Sequence, residues 1–415
     1  MFDVIVVGAR CAGSPTAMLL ARKGYRVLLV DRATFPSDTF RNHILLQPAL
    51  TRLKRWGLLD KVSATNCPPI TRFTQDMGDF PLTGNLMMMD DIEGVYAPRR
   101  KYLDHILVRA AVEAGAELRE GFTVQDLVWD DDRMVGITGR THGGASQRIA
   151  APIVIGADGL HSIVAQLVNA PTYAEQSALT WVYYSYWRGT GISSLEFYRR
   201  DDIAVLGFPT NDGLACVVAA GPAHGFNAFR NVYENNFLEA LEINRAFAER
   251  VKSGVRAERY VGTADLPNFF RKPYGPGWAL VGDAGYHKDP ITASGIGDAF
   301  RDAELLAHAV DLGLSGMQTM QEALANYERV RNNVSAAMYK ATCQSATFGP
   351  LPADTLQLRK MLHGNQADTD RYFGVLVGSV SPTEFYTAEN IDRISANATS
   401  PAPVFVGDNA NRVAA

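Results

Sequence analysis

The apolar positions at the start of the chain change their period twice. Val4–Val7 is a continuous run of β-branched residues, and Tyr25–Val30 is a second apolar run, followed by Asp31. Such runs are typical of parallel strands that are buried on both faces. Between them, Ser14–Lys23 carries apolar residues at helical spacing and stops at Gly24, a residue that suits a helix C-terminus. The pattern predicts a strand–turn–helix–strand unit with an acid after its second strand.

The turn of this unit reads GARCAGS, from Gly8 to Ser14. A dinucleotide-binding turn has the pattern G-x-G-x-x-G, in which the first glycine permits the tight turn and the last lets the helix pack against the sheet. Gly8 and Gly13 stand at these positions, but Arg10 replaces the middle glycine. The free N–H groups at the helix N-terminus favour a pyrophosphate, and Asp31 can accept hydrogen bonds from a ribose diol. A nucleotide site is therefore expected.

The side chain of Arg10 leaves two interpretations open. The guanidinium either lies beside a pyrophosphate, which it would attract, or points into solvent. A βαβ unit that is structural and holds no nucleotide is a further alternative.

Three later segments repeat the combination of a buried strand or an amphipathic helix with glycine or arginine at its end. APIVIGADGLHSIVAQLV, residues 151–168, is a strand that leads through GADG into a helix. GWALVGDAGYHKDPITASGIGDAFRDAELLAHAV, residues 277–310, is a strand, a loop with Pro290 and a long helix that opens with G-I-G. In APRRKYLDHILVRAAVEAGAEL, Arg99 and Arg100 precede an amphipathic helix.

These motifs, in this order, resemble FAD-dependent monooxygenases of the p-hydroxybenzoate hydroxylase type. The features shared are the N-terminal dinucleotide turn, R-x-x-L, GADG and the late GDA…P…G-x-G segment, over roughly residues 1–345. Geranylgeranyl reductases and flavin-dependent halogenases have the same scaffold, and the GARCAG variant is similar to the geranylgeranyl-reductase-like branch. The fold implied is α/β: a Rossmann-like FAD-binding domain, an antiparallel substrate sheet and a helical C-terminal segment.

The resemblance implies FAD as cofactor and assigns contacts to it. Arg41 and Arg100 would lie near the flavin or pyrophosphate, Val124 would hold the adenine edge, and Asp158 would lie near the groove for NAD(P)H. Asp283 would bind the ribityl chain, Pro290 would cover the isoalloxazine, and the N–H groups of Gly295–Gly297 would stabilise the reduced ring. The full predicted set is Gly8, Arg10, Cys11, Ala12, Gly13, Asp31, Arg32, Arg41, Arg100, Val124, Asp158, Gly282, Asp283, Pro290, Gly295, Ile296 and Gly297.

Some positions depart from the family pattern. The family often has histidine where Tyr286 stands, whereas here His287 follows one place later, and His161 and Ala165 stand where arginines are frequent. These departures bear on how NADPH or NADH docks rather than on FAD.

The flavin motifs are interrupted, so we expect a discontinuous FAD-binding domain at 1–65, 99–172 and 271–345. The substrate domain is predicted at 66–98 and 173–270, and a helical extension at 346–415. In the strand LTWVYYSYWRG, odd and even positions lie on opposite faces. Trp181 and Tyr183, with Phe208 and Pro209 of AVLGFPT, are the candidate substrate contacts. Simple packing of these aromatic side chains is the alternative.

Composition bounds partners and location. A net charge of −4 gives no reason to expect a nucleic acid or an anionic membrane as partner, and no apolar run approaches the length of a membrane span. Four widely spaced cysteines give no zinc signature. We expect no metal, a cytoplasmic protein and a monomer or homodimer.

Three reactions compete. The first is hydroxylation of an aromatic small molecule with O2 through a C4a-hydroperoxyflavin, with NADPH or NADH as reductant. Isoprenoid reduction would resemble Y-x-W-x-F-P-K, of which AVLGFPT keeps only Phe208 and Pro209. Halogenation would need W-x-W-x-I-P and a lysine, and AVLGFPT lacks both tryptophans. A flavin-binding module without activity would not need the insertion of about 100 residues that closes a pocket.

The catalytic side chains are the least specified. His43, in FRNHILLQP, is a candidate base for a phenol because its ordinary pKa suits neutral pH. Tyr286 and His287 are alternatives on the GD loop. A histidine that only caps local backbone is the competing interpretation of His43.

Overall fold

The computed structural model describes residues 1–39 and 43–398. Its strands are β1 (Val4–Val7), β2 (Val27–Val30), β3 (Arg72–Asp76), β4 (Pro81–Asn85), β5 (Glu117–Arg119), β6 (Phe122–Asp130), β7 (Arg133–Thr141), β8 (Gln147–Ala150), β9 (Ile153–Gly156), β10 (Thr172–Gln176), β11 (Thr180–Arg188), β12 (Leu195–Arg200), β13 (Ile203–Pro209), β14 (Leu214–Pro222), β15 (Val255–Arg256), β16 (Val261–Thr263), β17 (Asn268–Arg271), β18 (Tyr274–Gly275), β19 (Trp278–Leu280) and β20 (Tyr286–His287).

The helices alternate with these strands in the first half of the chain and dominate the last part. They are α1 (Gly13–Ala21), α2 (Gln47–Trp56), α3 (Leu59–Ser63), α4 (Arg100–Glu113), α5 (Ile163–Leu167), α6 (Phe226–Asn231), α7 (Tyr233–Ala240), α8 (Arg245–Ser253), α9 (Gly295–Leu314), α10 (Met320–Ala346), α11 (Ala353–Leu362), α12 (Gln366–Val377), α13 (Pro382–Phe385) and α14 (Ala388–Ala396).

A six-stranded sheet gathers the segments that carry the glycine motifs. Its order is β18-β19-β9-β1-β2-β5, and all neighbours are parallel except the edge pair β18–β19. The sequence predicts β1 because Val4–Val7 is apolar at every position, and all four residues are buried. Because the carboxyl ends of parallel strands meet at one edge, the turns after β1, β9 and β19 come together there.

Two different layers cover this parallel sheet. On one face, Val4, Val6, Val27 and Leu29 pack against a layer that includes α1, α2, α4 and α9. On the other face, Ile5 and its neighbours pack against the three-stranded antiparallel sheet β6–β7–β8. Because both faces of β1 are covered, every position of this strand is buried, and a run of β-branched residues suits it.

An eight-stranded sheet follows the order β15-β11-β14-β13-β12-β3-β4, with β16 also paired to β11. Its pairs are antiparallel, except that β12 and β3 are parallel. β3 and β4 come from an earlier segment of the chain, before α4, and join the edge of a sheet built mostly from residues 180–222.

The two faces of the eight-stranded sheet have different neighbours. The outer face carries Trp181 and Tyr183 and packs against α6, α7 and α8. The inner face carries Tyr186, Phe208 and Cys216 and packs against residues 44, 70 and 95–97 and against the C-terminal helices. The inner face is therefore the one turned toward the segments that follow the parallel strands.

The C-terminal helices α11–α14 close one end of the inner face. Arg359 of α11 is fully buried and binds both carboxylate oxygens of Asp79, at 2.8 and 2.7 Å. Phe373 of α12 packs on Phe73 of β3 with ring centroids 4.8 Å apart.

The architecture agrees with the α/β fold with an antiparallel substrate sheet and a helical C-terminal part that the sequence predicts. The exact domain boundaries stay a prediction. In the described ranges, no helix is both long enough and apolar enough to cross a membrane.

Candidate functional site

The GARCAGS turn lies tightly against the GADG segment. Gly8 has a φ of +102°, and a Cβ at this position would lie 2.5 Å from the carbonyl oxygen of Ala157. A Cβ at Gly13 would lie 1.7 Å from the carbonyl oxygen of Gly8. Both positions therefore accept only glycine, the first for its conformation and both for lack of space.

The GD loop completes the contact of three motifs. Gly282 has a φ of +63°, and a Cβ there would lie 2.6 Å from the Cβ of Ala12 in the first turn. The turns after β1, β9 and β19 thus meet at one place, where α1 begins. At Gly295, the first residue of α9, a Cβ would find no described heavy atom within 4 Å. A side chain at this position would therefore meet no described residue.

Asp31 fixes the mouth of the first turn. Its carboxylate is buried and accepts the N–H of Ala9 at 2.7 Å and the N–H of Ala33 at 2.8 Å. Each carboxylate oxygen retains a second acceptor position for a ribose hydroxyl. Arg32 is exposed beside it.

Arg10 does not point into solvent. Its Nη1 donates to Oδ2 of Asp104 at 2.5 Å, its Nη2 donates to Oγ of Ser37 at 3.1 Å, and its Cζ lies 5.2 Å from the ring centroid of Phe35. Asp104 belongs to α4, so Arg10 connects the glycine turn to that helix. One of the two interpretations that the sequence left open is thereby excluded.

Arg100 shares the same carboxylate. Its Nε and Nη2 donate to the two oxygens of Asp104 at 3.0 and 3.1 Å, and both side chains are buried. Burial alone would lower the pKa of Arg100, but the attraction of Asp104, with a smaller contribution from Asp283, makes the net direction upward. Burial raises the pKa of the Cys11 thiol to about 12, so this neighbour carries no charge. Two guanidinium groups therefore face one carboxylate at the glycine turn.

The loop before α9 is held from several sides. Asp289 accepts the hydroxyl of Thr180 at 2.7 Å and the N–H of Ile291 at 3.0 Å, which fixes the approach to Pro290. Lys288 is buried and forms an ion pair with Asp298 in the first turn of α9. Burial lowers the pKa of Lys288 to about 7, with repulsion from Arg301 acting in the same direction.

Two other predicted cofactor contacts have local structural partners. Asp158 is partly buried and caps α5, accepting the hydroxyl of Ser162 at 2.5 Å and the N–H of Ile163 at 2.7 Å. Burial raises its pKa. Val124 is buried in β6, next to a bulge in the pairing of β6 with β7. Arg41 lies outside the described residues.

His43 packs against the inner face of the eight-stranded sheet. Its Nδ1 is 3.0 Å from the carbonyl oxygen of Ala97, and its Nε2 is 3.0 Å from the hydroxyl of Tyr186. Because a carbonyl only accepts, Nδ1 carries the proton and Nε2 accepts from Tyr186. Burial lowers the pKa of His43 to about 4, so the imidazole is neutral at pH 7. Phe208 packs edge-on against it, with centroids 5.3 Å apart.

The predicted substrate contacts are divided between the two faces. Phe208 lies on the inner face with Tyr186, whereas Trp181 and Tyr183 lie on the outer face, where both pack on Phe229 of α6. Pro209 is buried at the end of β13. The structure thus brings Phe208 to the residues around His43, and it does not bring Trp181 and Tyr183 there.

Tyr286 and His287 form the short strand β20, which follows the GD turn. Tyr286 is buried and stacks on Phe270 with centroids 4.5 Å apart, and no described residue pairs with its hydroxyl. His287 is paired through Nδ1 with the carbonyl oxygen of Pro267. Their catalytic roles stay predictions.

Sequence reasoning missed some residues that the structure brings to these places. Asp104 could have been found, because it lies four residues after Arg100 on one helix face. Tyr186 and Tyr183 lie on opposite faces of β11, and the sequence alone did not say which face is turned toward the predicted site. Arg99, which pairs with Asp38 and Glu258 at 2.6 Å and lies over the Tyr186 ring, had no local signal.

The residues present fit an adenine dinucleotide. The glycine cradle admits close backbone approach, Asp31 has acceptor positions left, and the arginine pair offers positive charge to a diphosphate. Bound FAD would be held by these groups.

Comparisons with known proteins agree with this interpretation. Tryptophan 2-halogenase of Chondromyces crocatus is 26% identical over 426 residues, covering 95% of this chain and 78% of that protein. Digeranylgeranylglycerophospholipid reductase of Methanosarcina acetivorans is 28% identical over 348 residues, covering 79% of this chain and 80% of that protein. The fold is similar to that of PqsL, a probable FAD-dependent monooxygenase from Pseudomonas aeruginosa, with a TM-score of 0.71 and 20% identity over 83% of this chain and 96% of that one.

The family model described as FAD binding domain matches residues 1–227, more than half of the 415 residues. That range includes the glycine turn, Asp31, the Arg10–Asp104–Arg100 cluster and the GADG segment. The chain belongs to the FAD binding domain family of flavin-dependent oxidoreductases.

Proposed function

We propose that this protein is an FAD-dependent monooxygenase that hydroxylates an aromatic small molecule with O2, using NADPH or NADH as reductant. The observation that carries the proposal is the hydrogen-bonded pair of Tyr186 and His43 beside Phe208 on the inner face. Bound reduced FAD with O2 would supply the oxidant, and the chain would orient the substrate and exclude water from it.

The pair explains how a phenol could be positioned. Because Nε2 of His43 already accepts from Tyr186, a substrate hydroxyl would donate to the oxygen of Tyr186 rather than to the imidazole directly. The pKa of His43 is lowered to about 4 by burial, so its imidazole would stay neutral and fix the direction of the Tyr186 hydroxyl. In this proposal His43 positions Tyr186 and does not act as the base.

The side chains around the pair suit an aromatic substrate. Tyr186 and Phe208 present ring faces and edges, and Cys216 completes the buried surface between them. Aromatic rings pack on one another in offset and edge-on arrangements, so such a wall favours a flat substrate over a flexible isoprenoid chain. Arg99 lies with its Cζ 4.5 Å from the Tyr186 ring centroid and stabilises the position of that ring.

Halogenation is the second candidate, because the tryptophan 2-halogenase alignment covers nearly the whole chain, whereas the likeness to PqsL covers 83% of it. All eight strands of the large sheet lie in the described ranges, and none contains a lysine. The lysine of the GD loop, Lys288, is buried and paired with Asp298. These facts favour hydroxylation over a reaction that needs a free lysine in the pocket.

The experiment is a turnover screen with the purified protein, FAD, NADPH or NADH, and a panel of phenols, anilines and indoles, with chloride and bromide present. We expect one class to stimulate NAD(P)H oxidation and to gain one oxygen atom from isotopically labelled O2, detected by mass spectrometry. A halogenated product would replace the proposal with halogenation. A product that gains two hydrogens from an isoprenoid diphosphate or lipid would replace it with reduction.

A further inference from the structure

Arg10 stands where a dinucleotide turn has its middle glycine, and its side chain is built into the fold. Only a quarter of the side chain is exposed. Its two terminal nitrogens reach Asp104 at 2.5 Å and Ser37 at 3.1 Å, and its plane lies near the ring of Phe35. These three contacts hold the side chain of Arg10 in one position beside the glycine turn.

Asp104, the partner of Arg10, also accepts hydrogen bonds from Arg100. Asp104 has no exposed side-chain surface, and it receives Nε and Nη2 of Arg100 as well as Nη1 of Arg10. Two cations share one buried carboxylate, and the charge of Asp283 also acts on Arg100. Arg100 therefore has less of the Asp104 charge than it would have as the sole partner of that carboxylate.

One nitrogen of the cluster is left over. The side chain of Arg100 is 7% exposed, and in the described part of the chain its Nη1 donates to no residue. The cluster borders the glycine turn, because Cys11 of that turn lies 3.5 Å from Asp104 through its Sγ. A nine-tenths buried guanidinium with an unpartnered edge at the N-terminus of α1 points to an oxyanion with several oxygens.

We propose that Arg10 is a positioning residue for the diphosphate of FAD: by sharing Asp104, it weakens the attraction of that carboxylate for Arg100, whose Nη1 edge is left open for the diphosphate. The inference rests on the FAD binding described above. It reverses the usual expectation for the pattern, because the arginine would strengthen the site that a glycine normally serves.

The test restores the consensus glycine with Arg10→Gly and measures the affinity of the full chain for ADP and for adenosine by displacement of FAD. Both ligands offer adenine and ribose, but only ADP carries the diphosphate. We expect ADP affinity to fall roughly tenfold or more, the scale of one charge-assisted hydrogen bond, with adenosine affinity unchanged. Lys23 lies just after the C-terminal end of α1. Lys23→Ala removes one positive charge as a control and should leave the affinities for ADP and for adenosine unchanged.

A second variant guards against a folding defect. Arg10→Lys keeps the charge and one contact with Asp104, and it should bind ADP more tightly than Arg10→Gly and less tightly than the unaltered chain. Unchanged or tighter ADP binding by Arg10→Gly would overturn the inference, as would an equal loss for ADP and adenosine, which indicates a merely structural role. Absence of FAD binding by the unaltered chain would overturn the cofactor assignment itself. FAD binding without hydroxylation would overturn only the proposed reaction.

Discussion

The hydroxyl of Tyr186 donates to Nε2 of His43 across 3.0 Å, and the opposite ring nitrogen of His43 donates to the carbonyl oxygen of Ala97. Both ring nitrogens are therefore engaged, and the imidazole has one tautomer. The pair joins the inner face of the eight-stranded sheet to the segment that follows the parallel strands. It is the polar feature around which the proposed substrate wall is built.

Tyr186→Phe should lower the rate of hydroxylation about tenfold, which is the scale of one hydrogen bond to the substrate, while FAD stays bound. His43→Ala should also lower turnover without loss of FAD. Tyr183→Phe is the matched control, because Tyr183 lies on the outer face of the same strand. Steady-state kinetics with the best substrate of the screen, together with flavin absorbance, check both statements. Unchanged kinetics in both variants would refute the role of the pair in positioning the substrate.

Stability should rise with pH between about 4 and 6.5 because of His43. Its folded-state pKa is lowered to about 4 by burial, so between that value and the ordinary histidine value of 6.5 the unfolded chain binds more protons than the folded one. Folding therefore gains about 3 kcal/mol as the pH rises through this window and loses it as the pH falls. Urea unfolding at a series of pH values measures the slope, and His43→Gln should flatten it. An equal slope in that variant would assign the effect to other groups.

Gly8→Ala should abolish the nucleotide site. An alanine would have to adopt the φ of +102° at this position, and its Cβ would lie 2.5 Å from the carbonyl oxygen of Ala157. We expect a loss of unfolding free energy well above the roughly 1–2 kcal/mol of the conformational effect alone. Gly24→Ala separates the two contributions, because Gly24 has a φ of +91° with no described atom within 4 Å of a Cβ. Chemical denaturation of both variants gives the comparison. Equal losses would contradict the close approach of the two turns.

The strand–turn–helix–strand unit could be predicted because all its signals are local: the apolar run of β1, the glycines and Asp31 lie within one stretch of sequence. The fold class followed from the order of such stretches. The ties of Arg10 and Tyr186 could not be predicted, because their partners lie 94 and 143 residues away. Alternation along β11 gave the two sets of aromatic side chains, but only the packing of α6 against Trp181 decides which set is turned outward.

Asp283→Ala should weaken the retention of FAD. Asp283 follows Gly282 in the loop that touches the first turn, and its carboxylate lies close enough to affect the pKa of Arg100. Asp265→Ala is the control, because this carboxylate is exposed and pairs with His161. The measurement is the flavin content of each variant after gel filtration. A fully yellow Asp283→Ala protein would count against the ribityl assignment.

The central claim is that the turns after β1, β9 and β19 form one site for FAD. The most direct measurement is an equilibrium titration of the purified, flavin-stripped full chain with FAD, followed by flavin fluorescence and absorbance. The account predicts saturable binding of one FAD per chain and a yellow protein after removal of free flavin. A polypeptide that stays colourless and leaves the flavin signal unchanged at every concentration would contradict it.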